Sequence, residues 1–221
     1  MKGIKGENMK IVEIWAGTGS FSKVAKDKGH EIWTTDINPD FNCDLTGDVL
    51  DESIQEQIFE QVKTADFVWM SPVCTKWSLA AGNTYWTKFR QPRREDTYAA
   101  INMMMFARFI ADYCVKHNKK FLIENPNGRA VWIMDNQYLK RVWYCQYGDL
   151  RAKPTNLWTN IEDWTPRTCH NGNKDCHHEA APRGSKTGTQ GLKGNLERSI
   201  IPRKLCEEVL LQITKQIRRK E

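Results

Sequence analysis

The sequence predicts one α/β domain built on a mixed, mostly parallel sheet with helices on both faces. Short apolar runs at residues 9–15, 31–35, 67–70 and 120–126 alternate with segments of helical period. Several of these runs end in polar or glycine-containing loops, and α/β proteins bind their ligands at the carboxyl ends of such strands. A length of 221 residues suits one domain of ordinary size.

Composition indicates a folded chain in a reducing compartment. A hydrophobic content of 40% and nine tryptophans argue against disorder. No apolar run is long enough for a membrane span, and the first residues lack a signal-peptide core. Seven scattered cysteines, an odd number, predict a cytoplasmic setting without a disulfide framework. The net charge of +6 suits a polyanionic partner, although an ordinary basic surface explains it equally well.

The first predicted strand, residues 9–15, runs directly into a glycine-rich loop. Gly17 and Gly19 allow the backbone to turn tightly and to approach a ligand. Ser22 stands where a dinucleotide-binding fingerprint has its third glycine. The second strand ends in Asp36, an acid placed to bind the ribose hydroxyls of a nucleoside cofactor. The alternative is that Asp36 only caps the turn that follows.

A cysteine follows the buried strand at residues 67–70, in the loop where an α/β enzyme places its nucleophile. Cys74 lies after Pro72 and before the polar Thr75 and Lys76, outside any apolar run. We therefore interpret it as a reactive thiol, although most free cysteines are small buried hydrophobes. The charge of Lys76 is expected to favour the thiolate.

The remaining predicted elements complete the sheet and its two helical layers. We predict helices at residues 23–28, 52–63, 98–116 and 202–218, a short strand and turn at 41–51, and a hairpin from 141–147 and 155–159. The strand at 120–126 ends in Glu124 and Asn125. A carboxylate at this edge is costly unless it has a partner.

The long irregular segment 79–95 is basic and aromatic. Tyr85, Trp86 and Phe89 are interleaved with the four cations that we predict to bind nucleic acid, namely Lys88, Arg90, Arg93 and Arg94. Cations beside aromatic rings suit a nucleic-acid backbone with bases stacked nearby. The alternative is a solvated lid whose aromatic residues enter the core.

Taken together, these strand-end motifs resemble the cytosine-5 DNA methyltransferases, in particular the compact phage-type enzymes, over residues 9–215. The matching segments are Trp15-Ala-Gly-Thr-Gly19, Asp36, Gly47-Asp48-Val49, Ser71-Pro-Val-Cys74, Glu124-Asn125, Arg151-Ala-Lys153 and Arg198-Ser-Ile-Ile-Pro202. This chain departs from the family in splitting the Pro-Cys pair with Val73 and in following Glu-Asn with Pro126. Its region for target recognition is also very short.

The resemblance implies a Rossmann-like, S-adenosylmethionine-dependent methyltransferase fold. It divides the chain into a catalytic domain, residues 1–160 and 198–221, and a short target-recognition insert at 161–197. It implies that Cys74, Glu124 and Arg151 methylate carbon 5 of a cytosine flipped out of double-stranded DNA, through a covalent Cys74 adduct. The implied cofactor contacts are Trp15, Gly17, Gly19, Phe21, Asp36, Ile37, Asp48, Val49, Pro72 and Ser199.

Other functions of this scaffold stay open on the sequence. The same fold can act on cytosine in RNA or in a nucleotide, or can use a modified donor. A catalytically idle nucleic-acid-binding protein is the alternative from another class, but binding alone requires neither Cys74 nor Glu124. We expect a monomer in the cytoplasm of a bacterial or phage-infected cell.

The insert contains a cluster of possible zinc ligands. The segment has few apolar residues, so a metal can supply folding energy that a core does not. We predict a zinc site formed by Cys169, His170, Cys176 and His178. It would position Arg183 and Lys186 against the duplex. The alternative is a basic DNA-contacting loop in which the histidines are incidental.

Overall fold

The central feature of the fold is a seven-stranded sheet in the order β3-β2-β1-β4-β5-β7-β6. The computed structural model describes residues 8–180 and 194–218. The strands are β1 (Lys10–Ile14), β2 (Glu31–Asp36), β3 (Leu45–Thr46), β4 (Phe67–Met70), β5 (Lys120–Pro126), β6 (Leu139–Trp143) and β7 (Pro154–Thr159). Strands β1 to β5 pair in parallel, whereas β7 is antiparallel to both β5 and β6.

The helices cover both faces of this sheet. They are α1 (Ser20–Asp27), α2 (Glu52–Thr64), α3 (Asp96–Lys116), α4 (Asn195–Ser199) and α5 (Arg203–Arg218). Helices α2 and α3 pack on one face, while α1 and α5 pack on the other. This arrangement confirms the predicted Rossmann-like methyltransferase fold.

Alternation along the central strands supplies the two cores. In β4, Val68 and Met70 pack towards α2 and α3, and Phe67 and Trp69 pack towards α1 and α5. All four side chains are fully buried. Because successive residues of a strand point to opposite faces, a strand between two helical layers must be apolar throughout.

Three local elements differ from our predictions. Helix α1 begins at Ser20 and not at residue 23, directly after Gly19 in the left-handed conformation. Residues Tyr144–Tyr147 form a 3-10 helix and not the end of a strand, and Gly148, with φ of 90°, ends it. The short helix α4 was not predicted. The hairpin prediction is confirmed by the antiparallel pairing of β6 with β7.

The first residues of the predicted insert belong to the core beneath α5. Ile161 and Trp164 are buried there, and the Trp164 indole donates to Glu208 Oε1 at 2.9 Å. The division at residue 161 stays a prediction. Arg183 and Lys186 lie outside the described residues. Within the described ranges, no helix is both long enough and apolar enough to cross a membrane.

Candidate active site

The glycine-rich loop after β1 is held in place by Asp36 at the end of β2. Asp36 Oδ2 accepts from the Gly17 amide at 2.9 Å, and Oδ1 accepts from the Asn38 amide at 3.0 Å. Trp15, Gly17 and Gly19 all have positive φ, which is the sharp reversal that the two glycines allow. Asp36 therefore organises the loop and also caps the turn that follows it.

A buried carboxyl group lies beneath this loop, and we did not predict it. Glu13 of β1 accepts from the Ser22 amide at 2.9 Å. Burial raises the pKa of Glu13 to about 7, although its hydrogen bonds with Ser22 and Phe21 and the charge of Lys23 oppose this. Alternation on a buried strand predicts an apolar residue at this position, so the sequence marks Glu13 as unusual.

The other predicted cofactor residues differ in how far their side chains are exposed to solvent. Phe21 is fully buried and stacks on Trp69 with 4.5 Å between ring centroids. Val49 is also buried in the core, so neither side chain lies on the surface of the protein. Ile37 is exposed beside Asp36.

The two remaining polar positions hydrogen-bond within their own turns. Asp48 accepts from the Leu50 amide at 3.0 Å, and Ser199 Oγ donates to the Leu196 carbonyl at 2.7 Å. The segment that contains Ser199 returns to the end of the glycine-rich loop, because the Ile201 amide donates to Ser20 Oγ at 3.2 Å.

The loop that carries Cys74 is fixed to the end of β5. Asn125 Nδ2 donates to the Pro72 carbonyl at 2.8 Å, and both residues are buried. Beyond the cysteine, Arg129 donates to the carbonyls of Ser78 and Gly82 at 2.8 and 2.6 Å. The predicted Pro-Val-Cys and Glu-Asn motifs therefore meet at one place.

Opposing charges act on the Cys74 thiol. Burial raises the pKa of Cys74, and so does the negative charge of Glu124, while Lys153 and Arg198 lower it without reversing the net rise. Lys76 does not have the role that we expected, because it pairs with Asp96 and lies over the Tyr85 ring. The cations that favour the thiolate come from a different part of the chain.

Glu124 has the partner that its burial requires. Its Oε1 accepts from the Tyr144 hydroxyl at 2.8 Å. Burial, and next the charge of Glu124, raise the pKa of Tyr144 well above its usual value, so the hydroxyl keeps its proton and donates. We missed this residue because the 3-10 helix at 144–147 looks like a strand in sequence.

Arg151 and Lys153 have different surroundings. The Arg151 guanidinium pairs with Asp149 and donates to the carbonyls of Glu197, Arg198 and Ile200, so it holds the α4 segment. Lys153 Nζ lies 4.4 Å from the Tyr144 ring centroid and donates to the Arg198 carbonyl at 2.9 Å. Burial lowers the pKa of Lys153, against the charges of Glu124 and Cys74. Lys153 is therefore a cation that acts on both Cys74 and Glu124.

The predicted DNA-binding cations are exposed on the neighbouring loop, namely Lys88, Arg90, Arg93 and Arg94. Buried Trp86 anchors this loop to the Cys74 loop, since its indole donates to the Lys76 carbonyl at 2.7 Å. Phe89 at the tip is 71% exposed. Both interpretations of the segment fit, because one aromatic residue enters the core and another faces solvent beside the cations.

Part of the predicted zinc cluster is also brought together. Cys169, Cys176 and His178 converge with Cys145, which we did not predict. His170 is not in this group.

Comparison with known proteins supports the motif resemblance. No protein-family model matches the chain. The probable DNA (cytosine-5)-methyltransferase of Frog virus 3 (isolate Goorha) is 28% identical over 204 residues, which cover 86% of this chain and 92% of the viral protein. The chain is thus similar to a viral cytosine-5 methyltransferase over most of its length. This match covers most of the chain, as the motifs do.

Solved structures give partial superpositions on this methyltransferase. The methyltransferase EhMeth of Entamoeba histolytica matches with a TM-score of 0.47 at 16% identity, over 69% of this chain and 52% of that chain. DNMT2 of Spodoptera frugiperda matches with a TM-score of 0.43 at 17% identity, over 74% of this chain and 56% of that chain. The methyltransferase thus spans about half the length of these solved structures.

Proposed function

We propose that this methyltransferase transfers a methyl group from S-adenosylmethionine to carbon 5 of cytosine in double-stranded DNA, with Cys74 as a covalent nucleophile. The observation that carries the proposal is the meeting of the two motif loops. Asn125 holds the Pro72 carbonyl, and the charge of the adjacent Glu124 acts on the Cys74 thiol. A thiol, a carboxylate and a cation in one place are the groups that covalent addition to a pyrimidine requires.

The residues after β1 and β2 fit S-adenosylmethionine. Strand β1 lies between β2 and β4 in the sheet, and α/β proteins bind nucleoside ligands at such a switch point. A Cβ built on Gly17 would meet no atom within 4 Å, so the surface above the loop is open. Each Asp36 oxygen accepts one backbone amide and keeps a second lone pair for a ribose hydroxyl. When bound, the cofactor supplies an electrophilic methyl group.

The chain's own residues prepare the base. The Cys74 thiolate adds to carbon 6, which makes carbon 5 enamine-like and able to take the methyl group. Glu124, whose Oε1 accepts from the Tyr144 hydroxyl, shares a proton with the ring nitrogen, and this proton offsets the negative charge that develops on the ring in the adduct. The resemblance implied a catalytic role for Arg151, but Arg151 pairs with Asp149, so we assign the electrostatic support of the reaction to Lys153. Loss of the carbon 5 proton to solvent then expels Cys74 and restores the aromatic ring.

The half-buried position of Cys74 and the charged loop beside it support a duplex substrate. A stacked cytosine cannot present carbon 6 to a half-buried thiol, so the base has to leave the helix. The exposed cations at residues 88–94 lie on the loop anchored next to Cys74. Such cations contact phosphates, which gives affinity and strong salt dependence.

The test is covalent trapping. A duplex in which 5-fluorocytosine replaces cytosine is incubated with the protein and tritiated S-adenosylmethionine, alongside an RNA of the same sequence. We expect a labelled adduct on DNA that survives denaturation, because fluorine blocks the final elimination. Cys74→Ser should give none. An adduct on RNA alone would redirect the proposal to RNA. The absence of both adduct and transfer would favour an idle binding protein.

A further inference from the structure

Four metal-ligating side chains from separate parts of the sequence converge next to the active site. The Sγ atoms of Cys145, Cys169 and Cys176 and a ring nitrogen of His178 all lie within 4.8 Å of one another. Cys145 belongs to the 3-10 helix after β6, whereas the other three follow Trp164 in the insert. The fold brings them together, because Cys145 lies 24 or more positions before the other three residues in the sequence.

We propose that these four residues bind a zinc ion in a structural site. Three thiolates and one imidazole are a common structural zinc set. Zinc–ligand distances of about 2.0–2.3 Å place the corners of a tetrahedron roughly 3.5–3.8 Å apart, so the present separations need only a small contraction. Four protein ligands leave no open position for a reacting water. The site is therefore independent of the proposed methyl transfer.

The surroundings of the sulfur atoms support metal-bound thiolates. The Asn173 side-chain amide donates to Cys169 Sγ at 3.4 Å, and the Gln146 amide approaches Cys176 Sγ at 3.5 Å. Amide donors directed at sulfur stabilise the thiolate form, and such outer contacts orient ligands around a metal. Residues 165–180 contain no helix and no strand, only an isolated β-bridge between Glu179 and Arg151. A metal gives this segment the fixed structure that its few apolar residues cannot.

The structure distinguishes between the two histidines that the sequence predicted as zinc ligands. His178 is buried, and its Nδ1 lies 4.0 Å from Cys169 Sγ. Its Nε2 lies 3.2 Å from the Gly172 amide, which must release it when Nδ1 takes the metal and Nε2 carries the proton. His170 is outside the cluster and is exposed. The structure thus selects His178 and replaces His170 with Cys145.

The position of the site suggests what the metal holds. Cys145 directly follows Tyr144, whose hydroxyl donates to Glu124. On the other side, the Glu179 amide donates to the Leu150 carbonyl at 3.1 Å, and the His177 ring contacts the Asp149 carbonyl at 3.0 Å. A zinc ion here would fasten the insert to the wall of the active site.

The experiment is elemental analysis of full-length protein without a histidine tag, from cells grown with added zinc. We expect one zinc per chain. Two matched pairs test the ligand set. Cys145→Ser should lose the zinc while Cys114→Ser, at a buried cysteine outside the cluster, keeps it. His178→Asn should lose it while His170→Asn keeps it.

A second measurement covers variants that fail to fold. The wild-type protein is stripped with a chelator, refilled with cobalt(II), and examined for thiolate-to-cobalt charge-transfer absorption with tetrahedral d–d bands. Wild-type protein without stoichiometric zinc would overturn the proposal, and so would loss of zinc from His170→Asn but not from His178→Asn. A count of two fewer than the seven thiols in denatured protein would indicate a disulfide and would also overturn it.

Discussion

The hydrogen bond from Tyr144 to Glu124 offers the most direct test of the proposed chemistry. Tyr144→Phe removes one oxygen and leaves the ring, so it creates almost no cavity in a fully buried site. The lost bond is 2.8 Å long and joins two buried groups, one of them a carboxylate. Hydrogen bonds to charged groups contribute about 1.5–3 kcal/mol net.

If Glu124 depends on this bond in the transition state, a loss of about 2 kcal/mol slows transfer roughly 30-fold. The assay is single-turnover transfer of tritiated methyl to duplex DNA, with cofactor affinity measured separately by calorimetry. We expect the rate to fall and cofactor affinity to stay unchanged, because Tyr144 lies at the base side of the site.

Tyr147→Phe is the matched control in the same 3-10 helix. The Tyr147 hydroxyl donates to Glu208 Oε1 at 3.0 Å and accepts from the Arg167 amide at 3.1 Å, and neither contact involves Cys74 or Glu124. This variant should lose stability by a similar amount but keep its transfer rate. A folded Tyr144→Phe protein with a transfer rate within about twofold of wild type would refute the assigned role of the bond. Equal losses in both variants would show that the effect is general destabilisation.

Four further predictions address the thiol, the cofactor loop and the buried acid. Cys74→Ser should abolish transfer and leave cofactor binding nearly unchanged, and transfer near the wild-type rate would contradict the covalent mechanism. Asp36→Ala should weaken cofactor binding about tenfold or more without altering DNA affinity, as measured by calorimetry. Glu124→Gln should lower the pKa of Cys74 and speed its alkylation at a fixed pH, whereas Lys153→Met should slow it. Glu13→Gln should stabilise the fold by about 3 kcal/mol at pH 8.5 but hardly at pH 4, because the folded-state pKa of Glu13, about 7, lies above its unfolded value of 4.5 and stability falls as pH rises between them. Denaturant unfolding at the two pH values checks the last prediction.

The sheet and the motif loops could be predicted because their signals are local. The central strands are mostly apolar and end in glycine-rich or polar loops, so the pattern alone puts Asp36, Cys74 and Glu124 at one edge of the sheet. The residue that supplies positive charge to Cys74 could not be predicted in this way. Lys76 is close in sequence but bound to Asp96, whereas Lys153 directly precedes β7, the strand that pairs with β5.

The tertiary contacts of individual side chains could not be predicted from the sequence pattern either. Phe21 stands in a cofactor motif, yet its ring fills the core against Trp69. Tyr144 and Cys145 lie in a short 3-10 helix whose pattern resembles a strand, so neither a partner for Glu124 nor a zinc ligand could be recognised there. Local periodicity reports which face is apolar, but it does not report which distant residue meets a polar one.

Described residues on either side of the stretch 181–193 bond to two neighbouring residues, Leu150 and Arg151. Before this stretch, the Glu179 amide bonds the Leu150 carbonyl, and after it, the Glu197 carbonyl accepts from Arg151. A change of length or sequence between these two anchors need not be transmitted to Cys74 or Glu124. We therefore expect a longer segment grafted between residues 180 and 194 to leave both anchors in place. Such a graft would test whether this stretch selects the target sequence.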